Sequence, residues 1–326
     1  MDLNTIWFIL IAVLFSGFFI LEGFDYGVGI LVPYLGKNAK ERRILIRTIA
    51  PFWDGNEVWI LTAGGAMFAA FPNWYATLFS GFYPALALML FALIIRGVAL
   101  EYHGKHDKPE WRRTWEWMLC AGSLVPAILW GTALSNLLYG VPINSRMEYA
   151  GGFVDLLNGH SLVGGVFTLC LFLLQGALFL SLKTKDDLHR RSSILSQQLK
   201  WVVLIAGIAL FTVALPGPDR YCSLALFLLA VINFFLFRRE GPAFIVNCLS
   251  CIVLVMKIFL SLYPRVMVSS LNPAWDLTIY NASSSPYTLK VMTVVAAIFL
   301  PIVLSYQAWS YWVFRNRVTP ETRLDY

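Results

Sequence analysis

Nine runs of about twenty apolar residues limit what this chain can fold into, because a run that long spans the hydrocarbon of a bilayer as one helix of roughly 30 Å. They lie near 5–33, 50–71, 75–100, 116–139, 160–182, 200–215, 220–237, 242–263 and 288–314. Of 326 residues, 58% are hydrophobic and only 13% charged, and the mean hydropathy is +0.67. The expectation is an all-α polytopic membrane protein rather than one or two soluble domains. Pro216-Gly217-Pro218-Asp219 separates the sixth and seventh runs, since prolines this close cannot continue a helix.

The basic residues test the count. Lys and Arg gather in alternate loops: Lys37–Arg47, Lys105–Arg113, Lys183–Lys200, Arg238-Arg239 and the tail from Arg315 to Arg323 hold 19 of the 25. The opposite loops hold only Arg146, Arg220 and Arg265. Positively charged loops stay in the cytoplasm, so the N-terminus is expected outside and the C-terminus inside, with longer outer loops near 140–159 and 264–287. The net charge of +6 is thus a topology signal, and no nucleic-acid partner is expected. The first run is too long for a signal-peptide core and lacks a basic leader, so no cleaved signal is expected. The five cysteines all fall in apolar runs, which reads Cys248-x-x-Cys251 as small apolar packing. Residues 1–326 read as one integral membrane domain, with a first helix bundle over 1–139 carrying the intramembrane charges and a second helical half over 140–326.

Those charges are the chemistry. An ionised Asp at a helix centre costs about 2.5–3.5 kcal/mol on insertion scales, so Glu22 and Asp25 in the first run and Asp54 and Glu57 in the second must be paired, protonated or wetted. Each pair is three residues apart and shares a helix face. Arg96 lies one turn from the inner end of the third helix, Glu101 closes that helix and Glu116 opens the fourth. Six acids and one arginine from four consecutive helices suit a proton route, a cation site or a buried ion pair that only locks helices together, and the residues alone leave these open, as they leave open an ion-coupled transporter. His103, His106 and His189 fall in inner loops and His160 at an outer helix start, so no pair faces across a span; no haem or metal bound by this chain is expected. No phosphate-binding loop, dinucleotide fingerprint or nucleophile triad is present.

Several long motifs go further. Gly-Phe-Asp-Tyr-Gly-Val-Gly at 23–29, Pro-Phe-Trp-Asp-Gly-Asn-Glu-Val-Trp at 51–59, Gly-Gly-Ala-Met-Phe-Ala-Ala-Phe-Pro at 64–72 and Arg96 resemble subunit II of the cytochrome bd-type quinol oxidases. The stretch from Val291-Met292-Thr293 through Tyr306, Ala308-Trp309 and Tyr311-Trp312 resembles it too. The resemblance implies a multi-pass protein of a bacterial or archaeal plasma membrane, with nine helices arranged as two four-helix bundles plus a peripheral helix. It implies a heterodimer with a larger subunit I that holds haem b and haem d and oxidises a membrane quinol, while the complex reduces dioxygen to water. This chain would then be haem-free and would supply a cytoplasm-facing proton route, which the resemblance places on Asp25, Asp54, Arg96, Glu101 and Glu116. Where this chain has Glu57, Glu101 and Glu116, some members carry Gln, Asp and Asp. Room remains for a structural quinone and for a small accessory single-helix subunit, and the outer loop between the sixth and seventh helices is shorter than in some members.

Overall fold

The computed structural model describes residues 2–210 and 239–319, with a few single positions between 224 and 235. Its helices are α1 (Leu3–Leu35), α2 (Ala39–Ile49), α3 (Trp53–Ala70), α4 (Pro72–Gly81), α5 (Tyr83–Tyr102), α6 (Pro109–Tyr139), α7 (Gly159–Lys183), α8 (Asp186–Ala209), α9 (Glu240–Leu262) and α10 (Pro286–Val313). Among the described residues, seven of these, α1 and α5 through α10, are long and apolar enough to cross a membrane. The 18-residue α3 packs beside α1. The helix expected over 220–237, the turn at Pro216–Asp219, Cys222 and Arg323 lie outside the described residues.

The architecture centres on α1, which packs on α3, α6, α7 and α9. Every residue from Glu22 to Val32 is buried, the two acids included, because neighbouring helices cover this part of α1 on all sides. Glycines set how closely its neighbours approach. A Cβ on Gly27 would strike the Phe172 carbonyl and lie 2.9 Å from the Gly176 Cα, so α1 and α7 touch backbone to backbone. Gly27→Val is expected to destabilise the protein by about 1–3 kcal/mol through overpacking, read as a lower thermal midpoint of the purified complex. Gly131 and Gly164 bring α6 and α7 together in the same way. Gly64 and Gly65 on α3 have nothing within 4 Å of where a Cβ would stand and so pack on no helix of this chain among the described residues.

Three elements depart from the apolar runs, each for a local reason. The span expected at 75–100 is two helices, because Pro72 starts α4, Pro84 stands at the start of α5, and the intervening Phe82 breaks the axis. The span expected at 200–215 starts at Asp186, where Asp186 and Asp187 favour the positive end of the helix dipole; its first half is too polar to register as a span. The basic segment read as a loop contains α2, capped by Asn38, which accepts from the Glu41 N–H at 2.9 Å, and burying Ile44, Leu45, Ile46 and Ile49.

Glu41 ties α2 to α8: it accepts from Arg191 at 2.6 Å and from the Lys37 N–H at 2.9 Å. Burial pushes its carboxyl up, but these two donors outweigh burial and hold it below the usual carboxylate range. A lowered folded value contributes stability that is complete above the ordinary Glu value of about 4.3 and is lost as pH falls through the folded value. Because the pair is part-exposed, Glu41→Gln should cost about 0.5–1 kcal/mol at pH 7. That difference should vanish as the complex is acidified below the folded value, which thermal denaturation across pH would show.

At the opposite end of the bundle the two expected outer loops pack on each other. Val141 N–H donates to Val268 O at 2.9 Å, Ser269 Oγ donates to Ile143 O at 2.8 Å, and strands β1 (Arg265–Met267) and β2 (Leu277–Thr278) pair antiparallel.

Candidate functional site

Arg96 is the centre. It is fully buried on α5; its Nη1 contacts Glu22 Oε1 on α1 and lies 3.3 Å from Glu57 Oε2 on α3, and its guanidinium sits 4.9 Å over the Tyr26 ring. Gly122 on α6 makes the room: a Cβ there would lie 2.7 Å from Ala92 O and 2.9 Å from Arg96. One arginine thus joins α1, α3 and α5 through two carboxylates.

Asp25, one turn along α1 from Glu22, is also fully buried and is reached from α3 by Asn56, whose Nδ2 donates to Asp25 Oδ2 at 2.7 Å and to Leu21 O at 3.1 Å. Asn56 Oδ1 accepts from α10: Tyr311 OH at 2.8 Å and Gln307 Nε2 at 3.2 Å. Gln307 Oε1 in turn accepts from the Trp59 indole at 2.6 Å.

Asn56 and Tyr311 also line a cavity of about 630 Å³ between α2, α3, α5 and α10, at the end of the bundle that carries the basic loops. Asp54, Glu101, Arg43, Arg47 and Lys105 line the same cavity. Asp54 and Glu101 are exposed, one turn outside the buried group. Glu116 belongs elsewhere: buried on α6, it lies 2.7 Å from Arg42 Nε and 3.3 Å from His103 Nε2.

The six acids and the arginine of the first helices therefore fall into three groups. Glu22 and Glu57 pair with Arg96, and Asp25 is held beside them by Asn56. Asp54 and Glu101 stand at the cavity. Glu116 is paired by Arg42, because the basic segment folds as α2 and lays that arginine against α6. His103, read as a loop residue, caps α5, is buried and lines the cavity on one side while touching Glu116 on the other. Asn56, Gln307 and Tyr311 carry no charge, so charge does not single them out. Their signal is position: Asn56 lies inside the 51–59 motif, and Tyr311 lies on the terminal stretch.

The four histidines have separate surroundings. His103 is engaged with Glu116, His160 stacks on Tyr139 at 4.1 Å, and His189 pairs with Ser181 O at 2.8 Å, while His106 is exposed. Among the described residues no three His, Cys, Asp or Glu side chains converge to hold a metal ion. Cys248 and Cys251 are free thiols flanking the Gln175 amide, each 3.8 Å from it.

Fold and site together define a helical membrane protein built round a buried arginine–carboxylate centre, with a polar cavity at its basic end. The chain matches the cytochrome bd terminal oxidase subunit II family over residues 3–314, and it belongs to that family. It is 44% identical over 336 residues to the cytochrome bd ubiquinol oxidase subunit 2 of Bacillus subtilis (strain 168), covering 100% of this chain and 99% of the relative. It is 36% identical over 364 residues to the cytochrome bd-I ubiquinol oxidase subunit 2 of Escherichia coli (strain K12), covering 98% and 96%. A chain of the bd oxidase from Geobacillus thermodenitrificans shares the fold with a TM-score of 0.77 at 18% identity, over 96% of this chain and 99% of that one. This chain is accordingly a multi-pass bacterial membrane protein and one subunit of a terminal oxidase complex.

Proposed function

We propose that this chain is the haem-free subunit II of a quinol-oxidising bd-type oxidase and carries protons from the cytoplasm toward the oxygen chemistry of a haem-bearing subunit I. The concentration of Lys and Arg at the cavity end supports placing that end in the cytoplasm. The observation that carries the reading is the position of Asp25: a buried acid one hydrogen bond from Asn56, which lines the cavity, and one helix turn from the Arg96 centre.

On this reading Asp54 and Glu101 collect protons at the mouth, and Asp25 exchanges them beyond Asn56. Glu22 and Glu57, with Arg96 between them, share the charge that accompanies each transfer. The arginine keeps that charge balanced whichever acid is ionised. Glu116, tied to Arg42 and His103, borders the cavity through His103 and is a second uptake point. Haem b, haem d and quinol oxidation belong to the partner, in keeping with the engagements of the histidines here. The open faces of Gly64 and Gly65 on α3 are suited to close approach by a helix of that partner.

The discriminating experiment is purification of the detergent-extracted protein. Co-purification with a second polytopic chain that shows a haem spectrum and quinol-dependent oxygen consumption is expected. A lone polypeptide that moves ions in liposomes would contradict the reading and favour a transporter.

A further inference from the structure

The polar contacts at Asp25 run in one direction, and that direction assigns its two oxygens different roles. An indole N–H can only donate, so the 2.6 Å contact from Trp59 Nε1 fixes the acceptor oxygen of the Gln307 amide toward Trp59 and its Nε2 toward Asn56. That Nε2 can only donate, so the atom it meets at 3.2 Å is the carbonyl oxygen of Asn56. The Asn56 NH2 then faces Asp25 Oδ2 at 2.7 Å. The far end gives the same answer independently. The Asn56 NH2 also donates to Leu21 O at 3.1 Å, and a flipped amide would set two carbonyl oxygens against each other there.

We infer that Trp59, Gln307 and Asn56 are positioning residues that reserve Oδ2 of Asp25 as a permanent hydrogen-bond acceptor, so that Asp25 takes up and releases its proton at Oδ1 alone. Oδ1 is buried and has no hydrogen-bond partner among the described residues. The inference rests on the proposal that Asp25 lies on the proton route and adds which atom does the work.

It gives α10 a purpose its packing does not. This helix is exposed along almost its whole length and buries only Leu289, yet two of its side chains end on the Asn56 amide. Phe52 helps to hold Tyr311 in place by stacking on it at 4.5 Å. The end of α10 is in turn tied to α7 by Lys183, whose Nζ donates to Phe314 O at 2.5 Å. A donor on Oδ2 lets that oxygen stay an acceptor in both protonation states, so the amide need not rotate as Asp25 cycles.

The test is infrared difference spectroscopy of the whole oxidase complex on reduction. The carboxyl stretch that shifts in deuterium oxide and disappears in Asp25→Asn identifies Asp25. In Asn56→Leu that band should move to higher wavenumber, because its C=O loses a donor. In Trp59→Phe, which leaves Asp25 and Asn56 intact, it should move the same way by a smaller amount with haem content unchanged. Should Asn56→Leu fail to assemble, Trp59→Phe and Gln307→Leu decide. A band that stays in place in these variants overturns the assignment while leaving the proton route standing, and so does a complex with no band that depends on Asp25. Undiminished proton uptake in Asp25→Asn overturns the route itself, whatever the bands do.

Discussion

Arg96→Met is expected to leave membranes with little assembled oxidase. The guanidinium is fully buried, and so is Glu22, while Glu57 is 20% exposed. Removing the arginine strands two carboxylates in a low-dielectric interior, a change that costs about 3–5 kcal/mol when one partner of a buried ion pair is lost. Set against a total stability of about 5–15 kcal/mol for a folded domain, that raises the unfolded fraction by about two to four orders of magnitude, and cellular proteolysis of that fraction lowers the amount assembled. The measure is haem absorbance per milligram of membrane protein, with immunodetection of this chain beside it. A paired Arg96→Met and Glu22→Leu variant should recover part of the loss, since both charged groups then leave together and the volumes are roughly kept. Failure of the double variant to recover anything would show that Arg96 acts through Glu57 or Tyr26 instead.

Asp25→Asn should have the opposite profile, with normal assembly and failed turnover. The substitution keeps the size of the side chain, and its carbonyl can still accept from Asn56 Nδ2. What it removes is the ability to hold and release a proton. Loss of a positioned proton-transfer group costs about 10²–10⁴-fold, and the lower end is expected here because Glu57 lies nearby on α3. Quinol-dependent oxygen consumption should therefore fall about a hundredfold, with the haem spectrum and thermal midpoint unchanged. Asp54→Asn should cost far less, since Glu101 lines the same cavity and both are exposed.

How much of this could be read in the sequence depends on the range of the interaction. Burial of Glu22 and Asp25 follows from their positions deep in an apolar run, and that of Arg96 from its place one turn inside another, because a membrane span leaves a charged group little choice but to face inward. The pairing of Glu22 and Glu57 with Arg96 was within reach for the same reason. The pairing of Glu116 with Arg42 was not. It depends on α2, an amphipathic helix whose basic face hides it from a search for apolar runs, although Asn38 and Glu41 are the residues that cap its start. His103 reads as a loop residue because α5 ends there by length, whereas its burial against Glu116 is decided by where α6 begins, at Pro109. The Asn56 hub is hardest to anticipate. It joins Leu21 and Asp25 on α1 to Gln307 and Tyr311, which lie 251 and 255 positions beyond Asn56, and nothing local in either segment announces that contact.

The central claim is that protons from the basic end of the bundle reach the oxygen chemistry through Asp25. Time-resolved proton uptake after a single round of oxygen binding to the fully reduced complex, followed with a pH dye on the cytoplasmic side of oriented vesicles, tests it most directly. Electron transfer should begin normally in Asp25→Asn, and the uptake phase should be lost or slowed by about two orders of magnitude. Uptake at the wild-type rate in that variant would contradict the account.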